Sequence, residues 1–263
     1  MFQFSLKKFF STNFILFLLI LFSNFLFFNL YAAESSKYSL DKHEWSFKGL
    51  TGTFDRSALQ RGYKVYREVC SGCHSMNLLY YRDLVDIGFS SDQVKVIASE
   101  YTVVDGPDEE GTMFERPGKP SDKFVDPYAN DQEARISNNG AYPPDLSVII
   151  KAKKNGVDYL YNLLLGYSES PEGFEIGEGM YFNKFVANNQ IAMPQPLYEG
   201  SVDYDDGTKN TLPQLSEDLV TFLAWASEPE LEERKRLGIK VILFFIVIGI
   251  LIFIAKRRLW KEI

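Results

Sequence analysis

The stretch Cys70-Ser71-Gly72-Cys73-His74 limits most strongly what this chain of 263 residues can fold around. The chain has two cysteines and two histidines, and three of these four residues fall in this stretch. No cysteine therefore remains for a separate structural disulfide. Two thiols three positions apart can add across the two vinyl groups of a haem, and the adjacent imidazole can then bind the iron. The pattern predicts one haem c, attached covalently through Cys70 and Cys73, with His74 as an axial ligand.

The Cys-x-x-Cys spacing has two other interpretations, a zinc site and a redox-active dithiol. A zinc site needs two further ligands, and His43 is the only histidine left to join the carboxylates. A thioredoxin-like dithiol follows a strand in a βαβ unit, whereas the residues before Cys70 have helical periodicity. In the predicted helix from Ser57 to Val69, one face carries Leu59, Tyr63, Tyr66 and Val69. These observations favour haem attachment over both. A thiol-disulfide oxidoreductase is kept as the alternative from a different functional class.

A haem that only carries electrons needs a second axial ligand, and methionine in that position raises the reduction potential. Met76 is too close to His74 in sequence to reach the opposite face of a haem, so Met113, Met180 and Met193 remain. Two prolines follow Met193 within three residues and stiffen the backbone that would hold its thioether. Met113 and Met180 lie in acidic, glycine-rich loops, where methionine more often fills gaps or faces solvent. The residues alone favour Met193 and leave the other two open.

The N-terminal segment predicts export from the cytoplasm. Lys7 and Lys8 form a basic start, an apolar run covers residues 14–30, and two alanines precede the first acidic residue. This order is typical of a secretory signal peptide, here residues 1–33, with an uncleaved anchor as the alternative. The segment lacks the arginine-rich amphipathic character of an organellar transit peptide. We therefore predict a bacterial inner (cell) membrane, with residues 34–236 as an exported domain on its periplasmic side.

A second apolar segment, near the C-terminus, predicts a membrane anchor. The side chains of residues 241–255 are all apolar, and a helix over residues 237–255 would be ~28 Å long, close to the hydrocarbon thickness. We predict a single transmembrane helix over residues 237–256. Basic residues dominate the short tail 257–263, which the positive-inside rule places in the cytoplasm. The exported domain would then be held at the membrane by a C-terminal tether.

The segment between the two apolar ends is acidic. Residues 34–238 contain 21 Lys and Arg against 34 Asp and Glu, so their field repels phosphate backbones and excludes nucleic acid as a natural partner. A cationic protein partner is favoured instead. The stretch 105–115 and the cluster of Asp203, Asp205 and Asp206 are candidate docking surfaces. Each can equally be interpreted as a solvated loop that keeps the domain soluble.

The same segment has no internal repeat and no low-complexity linker, so it predicts a single domain. Helical patterns are predicted in three segments: 57–69, 158–166 and 216–227. The last of these has Ser216 as its predicted N-cap. Strand signals are sparse, and loops punctuated by proline and glycine are predicted over 105–131 and 168–179. A mostly α domain of a few helices wrapped by long loops needs an internal organiser, and a haem is one.

Taken in order along the chain, these motifs and their neighbours resemble the cytochrome c1 family over most of the sequence. The similar segments are Trp45 to Gly49, Gly52 to Asp55, Leu59 to Met76, Asn138 to Ser147, Asp158 to Tyr167, Ala192 to Pro194, Leu219 to Trp225 and Glu228 to Glu230. Cys-x-x-Cys-His alone indicates only a haem protein, whereas this ordered set is far more specific. Some relatives carry an additional cysteine pair that bridges a loop; this chain has none and must hold any such loop by packing.

The resemblance implies a mostly α, class I cytochrome c-like domain with long loop insertions, plus one C-terminal transmembrane helix. It also implies that the haem iron lies between His74 and Met193. Arg135 occupies the place of an arginine that contacts a haem propionate in the family, and a buried propionate needs such a charged donor. Tyr142 would assist Arg135, and Pro144 would line the haem together with the proline before it and exclude water.

The resemblance further implies partners. These are a Rieske iron-sulfur protein as electron donor, a soluble or anchored cytochrome c as acceptor, and cytochrome b beside the membrane helix. The chain would be an electron-transfer subunit, and no enzyme on its own, of ubiquinol-cytochrome c reductase, a complex expected to be dimeric. A membrane-anchored cytochrome c that serves a terminal oxidase is the alternative with the same chemistry. Such a protein would lack the Tyr-Pro-Pro-Asp-Leu-Ser and Met-Pro-x-Pro-Leu segments found here.

Overall fold

The computed structural model describes residues 38–261, and the predicted signal peptide at 1–33 lies outside the described residues. From Ser39 on, the described chain forms one compact unit whose regular structure is mostly helical. The α-helices of this part are α1 (Arg56–Val65), α2 (Ser91–Ser99), α3 (Asp131–Ser137), α4 (Gly156–Leu165), α5 (Leu212–Ser227) and α6 (Leu231–Leu259). A π-helical turn, Tyr66–Cys70, continues α1, and short 3-10 helices lie at Tyr81–Ile87, Ile149–Lys151 and Ala187–Asn189.

Helix α1 leads into the Cys-x-x-Cys-His stretch and has a strong N-terminal cap. The Asp55 carboxylate accepts hydrogen bonds from the amides of Ser57 and Ala58, at 2.9 and 3.4 Å. The buried face of α1 carries the large side chains that the sequence pattern predicts there, including Leu59 and Tyr63. The helix prediction over 57–69 is confirmed, except that its last turn is π-helical instead of α-helical.

Helix α5 begins one turn earlier than the sequence pattern predicts. The Thr211 hydroxyl accepts from the Gln214 amide at 3.5 Å, and Pro213 lies in the first turn, where a helix needs no amide donor. The prediction that Ser216 caps this helix is therefore wrong, and Ser216 is fully buried inside it. The predicted helix over 158–166 corresponds to α4 and is confirmed.

Helices α1 and α5 cross at close range and form the centre of the core. Gly62 permits this approach, because a Cβ at that position would lie 2.0 Å from the Asp218 carbonyl oxygen and 2.7 Å from the Cβ of Phe222. Arg61 forms two hydrogen bonds of 2.9 Å to the fully buried Asp218 carboxylate across the same contact. The crossing therefore fixes the helix that ends at Cys70 against the C-terminal part of the domain.

The strands of the described chain form two short antiparallel hairpins. One pairs β1 (Thr102–Asp105) with β2 (Phe114–Pro117), and the other pairs β3 (Tyr181–Phe182) with β4 (Gln190–Ile191). The prediction of proline- and glycine-punctuated loops over 105–131 is wrong in part, because β2 lies inside this range. Arg116 on β2 donates to the carboxylates of Asp105 and Asp122 and so fixes the hairpin. The prediction of few strands is confirmed for the residues that the structure describes.

Helix α6 has 29 residues and is long and apolar enough to cross a membrane, and none of its side chains is buried in the domain. It starts before the predicted segment 237–256. Hydrogen bonds join its first turns to the segment around the start of α1. The Glu232 carboxylate accepts from the Phe54 amide and from the Arg56 guanidinium, each at 2.7 Å. Lys235 donates to the carbonyls of Phe47 and Gly52. The predicted fold class, a mostly α domain with a single apolar C-terminal helix, is confirmed.

Candidate haem-binding site

The Cys-x-x-Cys-His stretch forms a tight turn at the end of the π-helical segment. The Ser71 amide donates to the Tyr66 carbonyl at 2.8 Å, which closes a π turn. The amides of Cys73 and His74 both donate to the Cys70 carbonyl, at 3.1 and 2.9 Å. Single π turns inside α-helices occur frequently at functional sites. This turn gathers both thiols and the imidazole at one end of α1.

The two cysteines have different surroundings: Cys70 is half-buried, whereas Cys73 is exposed. Burial, with a smaller effect from Cys73, raises the pKa of the Cys70 thiol to about 12. Redox-active Cys-x-x-Cys pairs depend instead on a thiol whose pKa is lowered. In the described chain, a helix and not a strand leads into this pair. Both observations argue against thiol-disulfide exchange.

The imidazole of His74 is held by one backbone carbonyl. Its Nδ1 lies 2.8 Å from the Pro144 oxygen. A carbonyl can only accept, so Nδ1 carries the proton in this contact and Nε2 is left with its lone pair. Burial lowers the pKa of His74 and keeps the ring neutral, although the hydrogen bond to Pro144 partly opposes this shift. A neutral ring with one nitrogen fixed by a carbonyl is the arrangement of a metal-binding histidine.

The second histidine lies elsewhere in the domain. The His43 ring packs 4.6 Å from the Trp45 ring, centroid to centroid, and its Nε2 lies 3.4 Å from a Glu217 oxygen. Between residues 38 and 261, no group of three or more His, Cys, Asp or Glu side chains is placed to hold a metal ion. The structure therefore does not bring His43 together with the cysteine pair, as a zinc site would require.

The loop after the imidazole is bound to segment 144–147 by hydrogen bonds that centre on Asp145. Its carboxylate accepts from the Ser75 hydroxyl, the Asn77 amide and the Ser147 amide, each at 2.8 Å. Burial acts to raise the pKa of Asp145, but these donors outweigh it and hold the pKa below its ordinary value. Sequence analysis missed Asp145. The available signal was the Asp-x-Ser spacing, which is typical of a turn in which a carboxylate accepts from the amide two residues on.

Met193 is half-buried and follows β4 closely. The Tyr167 hydroxyl donates to the Met193 carbonyl at 3.1 Å, and Leu197, beyond the two prolines, is fully buried. The β3–β4 pairing before the methionine, together with these contacts at and after it, fixes the backbone. Of the other methionines in the described chain, Met180 is also half-buried, whereas Met113 is 56% exposed and Met76 is completely buried in the core.

Arg135, on α3, lies beside Tyr142 at the surface. The Arg135 guanidinium carbon is 5.3 Å from the centroid of the Tyr142 ring, and Nη1 donates to the Gly140 carbonyl at 3.3 Å. Within the described residues, Arg135 forms no ion pair, and both side chains are exposed. A guanidinium held on an aromatic ring with its charge uncompensated can donate to an anionic group. The structure brings these two predicted residues together, next in sequence to the proline pair that ends at Pro144.

The two predicted acidic surfaces differ in how much of their charge is compensated. Asp205 pairs with Lys64 and Asp206 pairs with Arg61, both at 2.8 Å, which ties this cluster to α1. In the stretch 105–115, four exposed carboxylates form no ion pair within the described chain. They are Asp108, Glu109, Glu110 and Glu115. The uncompensated negative charge is therefore greater in the stretch 105–115.

Comparison with known proteins places this site in a family. A sequence profile of the Cytochrome C1 family matches residues 45–263. The chain is 48% identical to cytochrome c1, heme protein, mitochondrial, of Schizosaccharomyces pombe, over 84% of this chain and 72% of that protein. It is 42% identical to cytochrome c1 of Rhodospirillum rubrum, over 88% of this chain and 91% of that protein. It is 44% identical to cytochrome b/c1 of Bradyrhizobium diazoefficiens, over 84% of this chain and 35% of that protein.

The match begins at Trp45, continues through helix α6, and includes the cysteine pair, His74, Arg135, Tyr142, Pro144 and Met193. The family resemblance predicted from the ordered motifs is confirmed. The chain therefore belongs to the cytochrome c1 family, whose members are haem-containing electron carriers of the bc1 complex.

Proposed function

We propose that this chain holds one haem c, attached by thioether bonds from Cys70 and Cys73, and passes single electrons within ubiquinol-cytochrome c reductase. His74 would bind the haem iron. The observation that carries the proposal is the 2.8 Å contact between His74 Nδ1 and the Pro144 carbonyl, in a chain of the cytochrome c1 family. The carbonyl fixes the tautomer and leaves Nε2 as the nitrogen that iron needs.

Met193 would be the second side chain that binds the iron. When bound, the haem supplies one-electron redox chemistry, and a methionine ligand raises its potential. The contribution of the chain is a backbone that holds the thioether in place. The hydrogen bond from Tyr167 to the Met193 carbonyl and the buried Leu197 support this role, because they fix the backbone at the methionine and after it.

Arg135, Tyr142 and Pro144 would complete the site. Arg135 would donate to a haem propionate, since its guanidinium has no carboxylate partner within the described residues. Tyr142 holds that guanidinium from one side through its ring. Pro144 would line the haem and exclude water, in addition to accepting from His74. Exclusion of water lowers the solvent rearrangement that each electron transfer requires.

The proposed electron donor is a Rieske iron-sulfur protein, and the proposed acceptor is a soluble or anchored cytochrome c. The acidic charge of the domain supports a cationic acceptor, because opposite charges accelerate encounter without requiring tight binding. Of the two predicted docking surfaces, we favour the stretch 105–115. Its carboxylates are mostly uncompensated, whereas Asp205 and Asp206 neutralise basic residues of α1.

Helix α6 is proposed to cross a bacterial inner membrane beside cytochrome b, in a complex that is dimeric. Its exposed apolar side chains support a lipid or protein environment around it. We propose that residues 237–256 lie in the membrane and that the tail 257–263 is cytoplasmic. Residues 34–236 would lie on the periplasmic side after removal of the signal peptide 1–33.

The direction of electron flow can be tested by rapid mixing of the purified complex with a ubiquinol while the haem c absorbance is followed. We expect the haem to be reduced in a step that requires the Rieske protein, and to be reoxidised when oxidised cytochrome c is added. Depletion of the Rieske protein is the control. Equal rates of haem reduction with and without the Rieske protein would contradict the proposed donor.

A further inference from the structure

The carbonyl that holds His74 belongs to a segment that cannot anchor itself. Pro143 and Pro144 have no amide hydrogens, so neither residue can donate a backbone hydrogen bond to the rest of the domain. The next residue provides the anchor. The Asp145 carboxylate accepts three hydrogen bonds of 2.8 Å, from the Ser75 hydroxyl and from the amides of Asn77 and Ser147.

These contacts join the residues that follow the imidazole to the residues that follow the carbonyl. The Leu146 amide donates to the Ser75 carbonyl at 2.9 Å, and the Leu78 amide donates to the Ser147 hydroxyl at 3.1 Å. Ser147 is fully buried, and its carbonyl accepts from the Ser227 hydroxyl at the end of α5. The two segments are thereby fixed to each other and to the core. Of these groups, only the Asp145 side chain binds donors from both segments.

The position of this carbonyl affects the electronic character of the imidazole. A hydrogen bond donated from Nδ1 increases the basicity of Nε2, and a more basic ligand favours the oxidised metal. A carbonyl that can move away leaves Nδ1–H open to solvent and makes the ligand less basic. The rate at which this proton exchanges with solvent therefore reports directly on how firmly the carbonyl is held.

We propose that Asp145 is a positioning residue for the axial histidine, acting through the Pro144 carbonyl. Its three hydrogen bonds hold the proline segment against the loop after His74 and keep the carbonyl within reach of Nδ1. The inference rests on the proposed function, in which His74 binds the haem iron. It adds a residue whose carboxylate hydrogen-bonds to Ser75, Asn77 and Ser147 instead of to the imidazole, and it assigns to that residue control of the His74 tautomer and basicity.

The test uses the full-length holoprotein labelled with 15N-histidine, in the reduced, diamagnetic state. The chain has two histidines, and a His43→Gln variant identifies the His74 signals. We compare Asp145→Asn and Ser75→Ala with the wild type. Asp158→Asn is the matched control, because Asp158 is also a mostly buried carboxylate with several donors, including Trp45 Nε1 at 2.7 Å.

In Asp145→Asn, exchange of the His74 Nδ1 proton should accelerate by about tenfold or more, the factor that corresponds to one hydrogen bond to a charged group. The reduction potential should rise at the same time. Ser75→Ala keeps the carboxylate charge and should still accelerate exchange, by a smaller factor. Asp158→Asn should lower thermal stability without changing either property of the haem.

Wild-type exchange rates in haem-loaded Asp145→Asn would overturn the inference, even if the variant is less stable. If Asp145→Asn does not fold, wild-type exchange in Ser75→Ala overturns it instead. Equal acceleration in Asp158→Asn would also overturn it, because the effect would then follow general loss of stability. If the wild-type protein carries no attached haem, the proposed function and this inference both fail. If haem is attached and exchange is unchanged in the variants, only this inference fails.

Discussion

Arg61 holds the fully buried carboxylate of Asp218 with two hydrogen bonds of 2.9 Å, across the contact between α1 and α5. The same guanidinium binds Asp206 at 2.8 Å, so one cation compensates two carboxylates. Only 15% of the Arg61 side chain is exposed, which means that both partners of the inner pair have lost most of their water. A desolvated pair of this kind is costly to break, because the charge that remains stays largely buried and loses most of its compensation.

The first prediction follows from this pair. Asp218→Ala should lower the free energy of unfolding by about 3–5 kcal/mol, the range for removing one partner of a buried ion pair. Asp205→Ala is the control, since Asp205 is 89% exposed in its pair with Lys64 and should contribute under about 1 kcal/mol. Chemical denaturation of both variants measures the difference. Similar losses in the two variants would show that the buried pair has no special role.

The second prediction concerns the proposed thioether ligand. Met193→Leu removes the sulfur but keeps the size and apolar character of the side chain, so the haem should stay attached through the cysteines. The reduction potential should fall, because a methionine ligand stabilises the reduced iron, and carbon monoxide should bind to the reduced protein. Met180→Leu, in a half-buried methionine near β3, is the matched control and should change neither property. An unchanged reduced spectrum in Met193→Leu would assign the ligand to another residue.

The third prediction tests which acidic surface meets the acceptor. Glu109→Gln combined with Glu110→Gln should slow the reduction of a basic cytochrome c a few-fold at low ionic strength, and the difference should vanish at high salt. Asp203→Asn combined with Asp205→Asn removes the same number of charges from the second cluster and should have a smaller effect. Stopped-flow rates over a range of salt concentrations measure both. A larger effect of the second pair would move the docking surface to that cluster.

The fourth prediction concerns acid stability of the β1–β2 hairpin. The hydrogen bonds from Arg116 lower the pKa of Asp122 from 3.8 to about 2, against a smaller opposing effect of burial. A carboxyl with a lowered folded-state pKa stabilises the fold above its unfolded pKa and loses that contribution as the pH falls through the folded pKa. Thermal unfolding should therefore show a loss of stability between about pH 4 and about pH 2 that Asp122→Asn reduces. An equally steep loss in the variant would assign the acid sensitivity to other groups.

Much of the site could be predicted from sequence because its chemistry is local. The thiols and the imidazole lie within five residues, and the helix before them repeats its apolar residues at the helical period. Neither feature needs knowledge of distant contacts. The same holds for α4 and for the long apolar run in α6, each of which is recognisable from one continuous segment.

The remaining features depend on contacts between distant residues. Asp145 acts on Ser75 across 70 positions, and no local pattern indicates which donors its carboxylate will meet. The β2 strand forms because Arg116 reaches two carboxylates that only the folded hairpin brings together. Helix α5 starts at Leu212 because the Thr211 cap and a proline in the first turn extend it beyond the apolar segment that predicted it. In each case the tertiary contact decides the structure.

The central claim is that Cys70 and Cys73 bind a haem covalently, and the most direct measurement is the mass of the mature polypeptide and of its proteolytic peptides. The protein should be prepared from cells that can attach haem, and its thiols should be challenged with an alkylating reagent under denaturing conditions. We expect the mass of the peptide that contains residues 70–74 to be increased by one haem, with neither cysteine open to alkylation. Recovery of this peptide without haem and with both cysteines alkylated would contradict the account.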